Sequence, residues 1–225
     1  MGDSTTLTSA LDGFEFSAWR ATPSDARRGG LIVIQEIFGV TEHIRAVADS
    51  FAAEGYETLA PSFYDRHHKD FEAGYDAEGV ALGRRLSEET PWTEVAADLA
   101  AAVAVLSPPV FVVGYCWGGT AAWLAAARTP GVAAASCYYG RRIPELLTEA
   151  PQCPTILHFG RQDASIPPDV VDAIADAYPD MHVHRYDAGH GFASDRADHH
   201  PDAARLATLR TLQLFALNGG GRGEL

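Results

Sequence analysis

The sequence predicts an α/β fold, a mostly parallel twisted sheet with helices on both faces. Two observations predict it. Short β-rich runs alternate with helical patterns over most of the 225 residues, and several runs are continuously apolar, as strands covered on both faces must be. The length fits one domain, expected over residues 1–218, and suffices to bury a core without staples.

Taken in order, Phe14–Trp19 is expected to add an antiparallel edge, and Gly30–Ile34 is the first doubly covered strand. Ile44, Val47, Ala48, Phe51 and Ala52 then fall at helical spacing after the cap residue Thr41, with Gly55 as the stop. Tyr56–Leu59 is the next strand. The stretch from Pro61 to Glu88 mixes charge, glycine and aromatics without a period; in such a sheet an insertion of this kind lies over the active-site end and faces substrate. Thr90-Pro91 opens a helix whose apolar stripe is Val95, Leu99, Ala102, Val103 and Leu106, ended by Pro108-Pro109. Strands follow at Val110–Gly114, Val132–Tyr139, Pro154–Phe159 and His182–Tyr186, and a last helix runs from about Asp202 to Leu217. The glycine-rich 219–225 is expected to be a disordered tail.

Composition narrows the functions. Hydrophobic residues make up 47% and charged residues 21%, ordinary for a folded soluble protein. The formal charge of −13, from 17 basic against 30 acidic residues, opposes a nucleic-acid backbone, so no nucleic-acid partner is expected. No apolar run spans a bilayer and the N-terminus has no secretory pattern. The opening Met1-Gly2-Asp3-Ser4-Thr5-Thr6 fits the short myristoylation pattern, but acidic Asp3 and the absent basic cluster argue against a lipid anchor. Cys116, Cys137 and Cys153 form no C-x-x-C pair, which suits a reducing cytoplasm better than a disulfide framework or zinc site. The His182-x-His184 pair and Asp187 find no further ligand at suitable spacing, and no nucleotide loop is present, so no metal or cofactor is expected. Nothing in the sequence requires more than a monomer or small homo-oligomer.

The chemistry centres on Gly114-Tyr115-Cys116-Trp117-Gly118-Gly119, between the apolar strand Val110–Val113 and the helical pattern Thr120–Ala127. This is a nucleophile elbow: the sharp strand-to-helix turn strains and exposes its central residue, and glycines two positions either side admit the close backbone crossing. The helix N-terminus that follows favours a thiolate at Cys116. Asp163 follows the strand ending at Phe159, and His190 follows the strand ending at Tyr186, so both sit on loops at the same sheet edge. Alone, Asp163 reads as a turn former and His190 as a loop histidine. In the order nucleophile, acid, histidine they form the triad of the α/β-hydrolase fold, with His190 taking the thiol proton and Asp163 fixing its tautomer.

Gln35-Glu36-Ile37-Phe38-Gly39, the cysteine elbow and Gly189-His190-Gly191-Phe192 together resemble the dienelactone hydrolases, over nearly the whole chain. The resemblance implies that Glu36 contacts the Cys116 thiol in the resting enzyme and helps form the thiolate when substrate arrives, and that the backbone N–H groups of Ile37 and Trp117 form the oxyanion hole. It also implies a substrate site at Tyr64 and Arg66, Arg66 being the anion anchor within Ala60–Arg66. Two positions depart from the family pattern: Ser194 stands where a second arginine would bind the substrate carboxylate, and Gly191 replaces the serine that follows the histidine. Arg196, two residues along, is placed to reach the same space. The implied activity is hydrolysis of a small-molecule ester or lactone through an acyl-enzyme. A thioesterase or acyltransferase on the same triad, told apart by acyl chain-length preference, and a non-catalytic thiol protein, which would give no acyl-enzyme burst, are the alternatives.

Overall fold

The computed structural model describes residues 2–221. Eight strands form one sheet: β1 (Asp3–Thr8), β2 (Glu15–Ala21), β3 (Gly29–Ile34), β4 (Tyr56–Pro61), β5 (Val110–Tyr115), β6 (Val132–Tyr138), β7 (Thr155–Gly160) and β8 (His182–Tyr186). Their spatial order is β1-β2-β4-β3-β5-β6-β7-β8. The pairs β1–β2 and β2–β4 are antiparallel and every other pair is parallel. All six residues of β3 and of β5 are buried, the mark of strands covered on both faces.

The helices are α1 (Glu42–Ala53), α2 (Ala77–Glu89), α3 (Trp92–Ala104), α4 (Trp117–Arg128), α5 (Pro168–Ala177) and α6 (Pro201–Phe215). The chain steps from β3 to β4 in one direction, and from β4 to β5, β5 to β6 and β7 to β8 in the other. Right-handed crossovers therefore place α1 on one face and α3, α4 and α5 on the opposite one. Tyr56 joins α6 to the α1 face, with its ring centroid 6.5 Å from Phe51 and 5.8 Å from Phe215. The reversal of direction falls between β3 and β5, so the carboxyl ends of these two strands open a crevice where ligands bind in such sheets. Glu36, Ile37 and Cys116 stand at those ends.

Local chemistry explains most boundaries. Thr41 Oγ1 accepts from the Ile44 amide at 3.5 Å to start α1, which buries Ile44, Ala48, Phe51 and Ala52. The α3 stripe buries Val95, Leu99 and Ala102 as its spacing predicts. Thr90, expected to open α3, instead closes α2, its Oγ1 donating back to Leu86 O at 2.7 Å.

Three further expectations are corrected. Strand β2 is antiparallel but is not the edge, because β1 lies outside it; β1 is polar except for Leu7, which leaves no apolar alternation to read. The stretch 61–88 is not irregular throughout. Asp76 accepts from the Gly79 amide at 2.8 Å and starts α2, whose buried face is Gly79, Gly83, Leu86 and Ser87, too small and polar to give a helical signal. The tail does not begin at Gly219: Ala216–Gly220 add one wide turn to α6, and the buried Gly220 carbonyl accepts from Arg28 Nε at 2.8 Å and from the Tyr56 hydroxyl at 3.3 Å. The rest of that expected tail, 222–225, lies outside the described residues. Among the described residues, no helix is long and apolar enough to cross a membrane.

Candidate active site

Cys116 occupies the turn between β5 and α4 with φ 56° and ψ −114°, a left-handed conformation that costs a non-glycine residue on the order of 1–3 kcal/mol. The crossing around it has no spare room. A Cβ on Gly118 would lie 2.4 Å from the Gln35 carbonyl oxygen, and one on Gly119 would lie 2.2 Å from that of Tyr138, both backbone atoms that cannot step aside. The Cys116 amide donates to Tyr138 O at 3.0 Å, tying the elbow to β6. The thiol thus stands at the mouth of α4, whose first-turn N–H groups favour negative charge.

The loops after β7 and β8 bring the partners. His190 Nε2 lies 3.2 Å from Cys116 Sγ, and Asp163 Oδ2 accepts from His190 Nδ1 at 2.6 Å. Asp163 is 3% exposed, and its other oxygen accepts from the Ser165 amide at 2.8 Å and hydroxyl at 2.6 Å. Burial works against the Asp163 carboxylate, but the bonds from His190 and Ser165 outweigh it and hold its pKa below the usual value. Burial also opposes charge on His190; the adjacent Cys116 sulfur and Asp163 carboxylate prevail and raise its pKa to about 10.

The site floors a cleft of about 680 Å³, with the Ile37 and Trp117 segments in its lining. Trp117 stacks on Trp92, centroids 5.7 Å apart. One wall is α2, through Val80, Arg84, Ser87 and Glu88, so the stretch 61–88 lines the cleft, as an ordered helix.

Glu36, Tyr64 and Arg66 depart from the roles the resemblance implied. Glu36 is 2% exposed, and its Oε1 accepts from Ser194 Oγ at 2.9 Å and from Arg196 Nη2 at 3.3 Å; its bonds run to these two residues and not to Cys116. Arg66 is absent from the cleft lining. Its guanidinium donates to Asp98 at 2.9 Å and Asp12 at 2.6 Å and lies 4.5 Å over the Phe14 ring, so its charge is spent on pinning α3 to the β1–β2 turn. Tyr64 is fully buried against Trp117, with centroids 5.2 Å apart, and it too is absent from the lining. Arg196 does reach the cleft.

Sequence reasoning missed Ser165, which bonds Asp163 and lies 3.2 Å from His190 Nδ1, and the cleft-lining pair Arg141 and Arg142. Both carried a signal: a serine two residues after the acid suits a side-chain-capped turn, and adjacent arginines just past a strand's carboxyl end fall at the site edge. His182 and His184 stack with centroids 6.2 Å apart, and His184 stacks on buried His158 at 5.5 Å. Among the described residues no three His, Cys, Asp or Glu side chains form a group able to hold a metal ion.

The model of the dienelactone hydrolase family matches residues 16–218. The chain belongs to the dienelactone hydrolase family. It is 32% identical over 223 residues to a carboxymethylenebutenolidase from Pseudomonas sp. strain P51, covering 92% of each chain. A Synechocystis protein with that name given provisionally is 37% identical over 208 residues, covering 82% of this chain and 84% of its own. Among solved structures, a provisionally named dienelactone hydrolase from Klebsiella pneumoniae superposes with TM-score 0.82 at 28% identity, covering 96% of this chain and 99% of the other. The fold is that of the α/β hydrolases, and membership in the family makes the protein a hydrolase of esters or lactones.

Proposed function

We propose that this dienelactone hydrolase family member cleaves its ester or lactone with Cys116 as nucleophile, through an acyl-enzyme, with His190 and Asp163 as activating partners. The observation that carries the reading is the unbroken chain from Cys116 Sγ to His190 Nε2 at 3.2 Å and from His190 Nδ1 to Asp163 Oδ2 at 2.6 Å, on the floor of the cleft.

The thiolate sulfur attacks the acyl carbon, forming the C–S bond while the carbonyl electrons move to oxygen, against the amides of Ile37 and Trp117. Collapse breaks the C–O bond, and the departing alkoxide takes the proton on His190 Nε2. Water then attacks the thioester carbon and gives a proton to Nε2. The C–S bond breaks, the carboxylic acid leaves, and the thiolate–imidazolium pair is restored. Asp163 keeps the proton on Nδ1 throughout, so that Nε2 faces the sulfur. A carboxylated substrate would find its cations in Arg84, Arg141 and Arg142, which line the cleft, and not in Arg66. The three cysteines are free thiols, which suits work in the cytoplasm on a small molecule.

The test is a time course of p-nitrophenyl acetate hydrolysis by wild type and Cys116→Ala, run beside a carboxylated lactone. Turnover of both only with Cys116 present is the expected result. Equal turnover by the variant would overturn the assignment of the nucleophile; turnover of the simple ester alone would remove the carboxylated lactone.

A further inference from the structure

Buried carboxylates are costly unless satisfied, and Glu36 is satisfied by two residues from the loop after the catalytic histidine, Ser194 and Arg196. Arg196 reaches it because of what is missing at position 191. Gly191 has φ +74°, and a Cβ there would lie 2.0 Å from Arg196 Nη2 and 2.6 Å from Nε. A side chain at 191 and the guanidinium in its present place exclude one another. Two aromatic rings hold the cation from the other side, Phe38 at 5.6 Å and Tyr75 at 5.7 Å from Cζ. Tyr75 is itself tied down by a 2.7 Å bond from its hydroxyl to Asp195. The guanidinium Nε is buried without an acceptor, so Glu36 is its one carboxylate partner among the described residues.

We propose that Arg196 is a positioning residue: with Ser194 it clamps the Glu36 carboxylate away from Cys116, so that the thiol pairs with His190 alone and the free enzyme rests with its nucleophile already deprotonated. This rests on the reading of Cys116 as nucleophile. The charged and titratable groups that face the sulfur fit it. His190, backed by Asp163, supplies the positive partner. The charge on Arg196, favoured by Glu36 against the cost of burial, offsets that carboxylate. Tyr64 and Tyr139 are fully buried phenols held neutral, their pKa values pushed well up by burial. Without the guanidinium, an uncompensated Glu36 would repel a thiolate nearby, or take up a proton and exchange it with the thiol.

The test needs no substrate. Alkylation of Cys116 by iodoacetamide in the free enzyme, resolved from Cys137 and Cys153 by peptide mass, is followed across roughly pH 4 to 10. Wild type should show an inflection about two units or more below that of a free thiol, near 8.5. In Arg196→Gln the inflection should rise by about one unit, so that on the acid limb, well below the wild-type inflection, the rate should fall about tenfold. Arg196→Lys should keep most of the rate, and Gly191→Ala, which displaces the guanidinium without removing it, should move the profile in the same direction as Arg196→Gln and serves if that variant fails to fold. Added to Glu36→Gln, Arg196→Gln should no longer shift the inflection, since the clamp acts through Glu36. An ordinary inflection in wild type, superimposable profiles for wild type and Arg196→Gln, or a shift that persists in the Glu36→Gln background would overturn the proposal. So would a raised KM for carboxylated substrates in Arg196→Gln with an unmoved alkylation profile, which would make Arg196 a substrate ligand. A low inflection in an enzyme that hydrolyses no ester supports the clamp and counts only against the proposed hydrolysis.

Discussion

Replacing Asp163 by Asn separates the charge of the triad from its geometry. Asp163 Oδ1 accepts two bonds from Ser165, at 2.8 and 2.6 Å, while Oδ2 alone accepts from His190 Nδ1 at 2.6 Å. An asparagine keeps one oxygen, and the two Ser165 donors outbid the single one on His190. The amide NH₂ then faces Nδ1, which must become an acceptor, and the imidazole proton moves to Nε2, facing the sulfur. In that tautomer His190 cannot take the Cys116 proton. The rise in the His190 pKa from 6.5 to about 10 corresponds to a preference for imidazolium on the order of 5 kcal/mol, shared between Cys116 and Asp163. Loss of the Asp163 share together with the wrong tautomer predicts a fall in kcat of about 10⁴, or roughly 5.5 kcal/mol of transition-state stabilisation. The fold should survive, because Ser165 keeps its acceptor; the melting temperature should move by no more than about 4 °C. Steady-state p-nitrophenyl acetate hydrolysis beside a thermal melt reads both quantities. A loss in kcat below tenfold would refute the tautomer argument, and a large fall in melting temperature with it would make Asp163 structural.

Cys116→Ala should lower kcat by roughly 10⁴–10⁶ with a melting temperature near wild type, checked by the same pair of assays. Gly118→Ala should destabilise the fold by about 1–3 kcal/mol, measured by urea unfolding, because its Cβ would meet the Ile34 and Gln35 carbonyl oxygens at 2.6 and 2.4 Å. Arg66→Ala should leave KM for a carboxylated lactone within about twofold of wild type, since Arg66 is outside the cleft. It should nonetheless cost about 3–5 kcal/mol of stability, because Asp98, 1% exposed, loses its cation. The raised His190 pKa means that the imidazolium is present below about pH 10 and lost above it. Turnover of an alkyl ester, whose leaving alkoxide needs that proton, should therefore decline as pH passes about 10, while a p-nitrophenyl ester, whose leaving group needs none, should show no such decline.

What could be read from the sequence followed its physical signal. Strands β3 and β5 are uninterrupted apolar runs, and the elbow needs glycine at fixed offsets, so the sheet and the place of Cys116 were legible before any coordinate. Asp163 and His190 were legible as a set, because each follows an apolar strand and the order in the chain restricts the fold. Strand β1 was not, since an edge strand built from Ser and Thr buries little and carries no pattern. Helix α2 was hidden by Gly79, Gly83 and Ser87 on its buried face. Side-chain partnerships lie further from the sequence. Arg66 sits in a segment that matches the family, yet its charge is claimed by Asp12 and Asp98, far off in the chain. The bonds of Glu36 were equally out of reach, because they depend on the space that Gly191 leaves for Arg196.

The central claim is that Cys116 carries the acyl group, and peptide mass analysis of enzyme quenched during turnover of p-nitrophenyl acetate tests it most directly. One added acetyl group is expected on the peptide containing Cys116, absent from Cys116→Ala and accumulating in Asp163→Asn if deacylation is slowed more than acylation. Turnover at the wild-type rate with the acetyl group on another residue, or in Cys116→Ala, would contradict it.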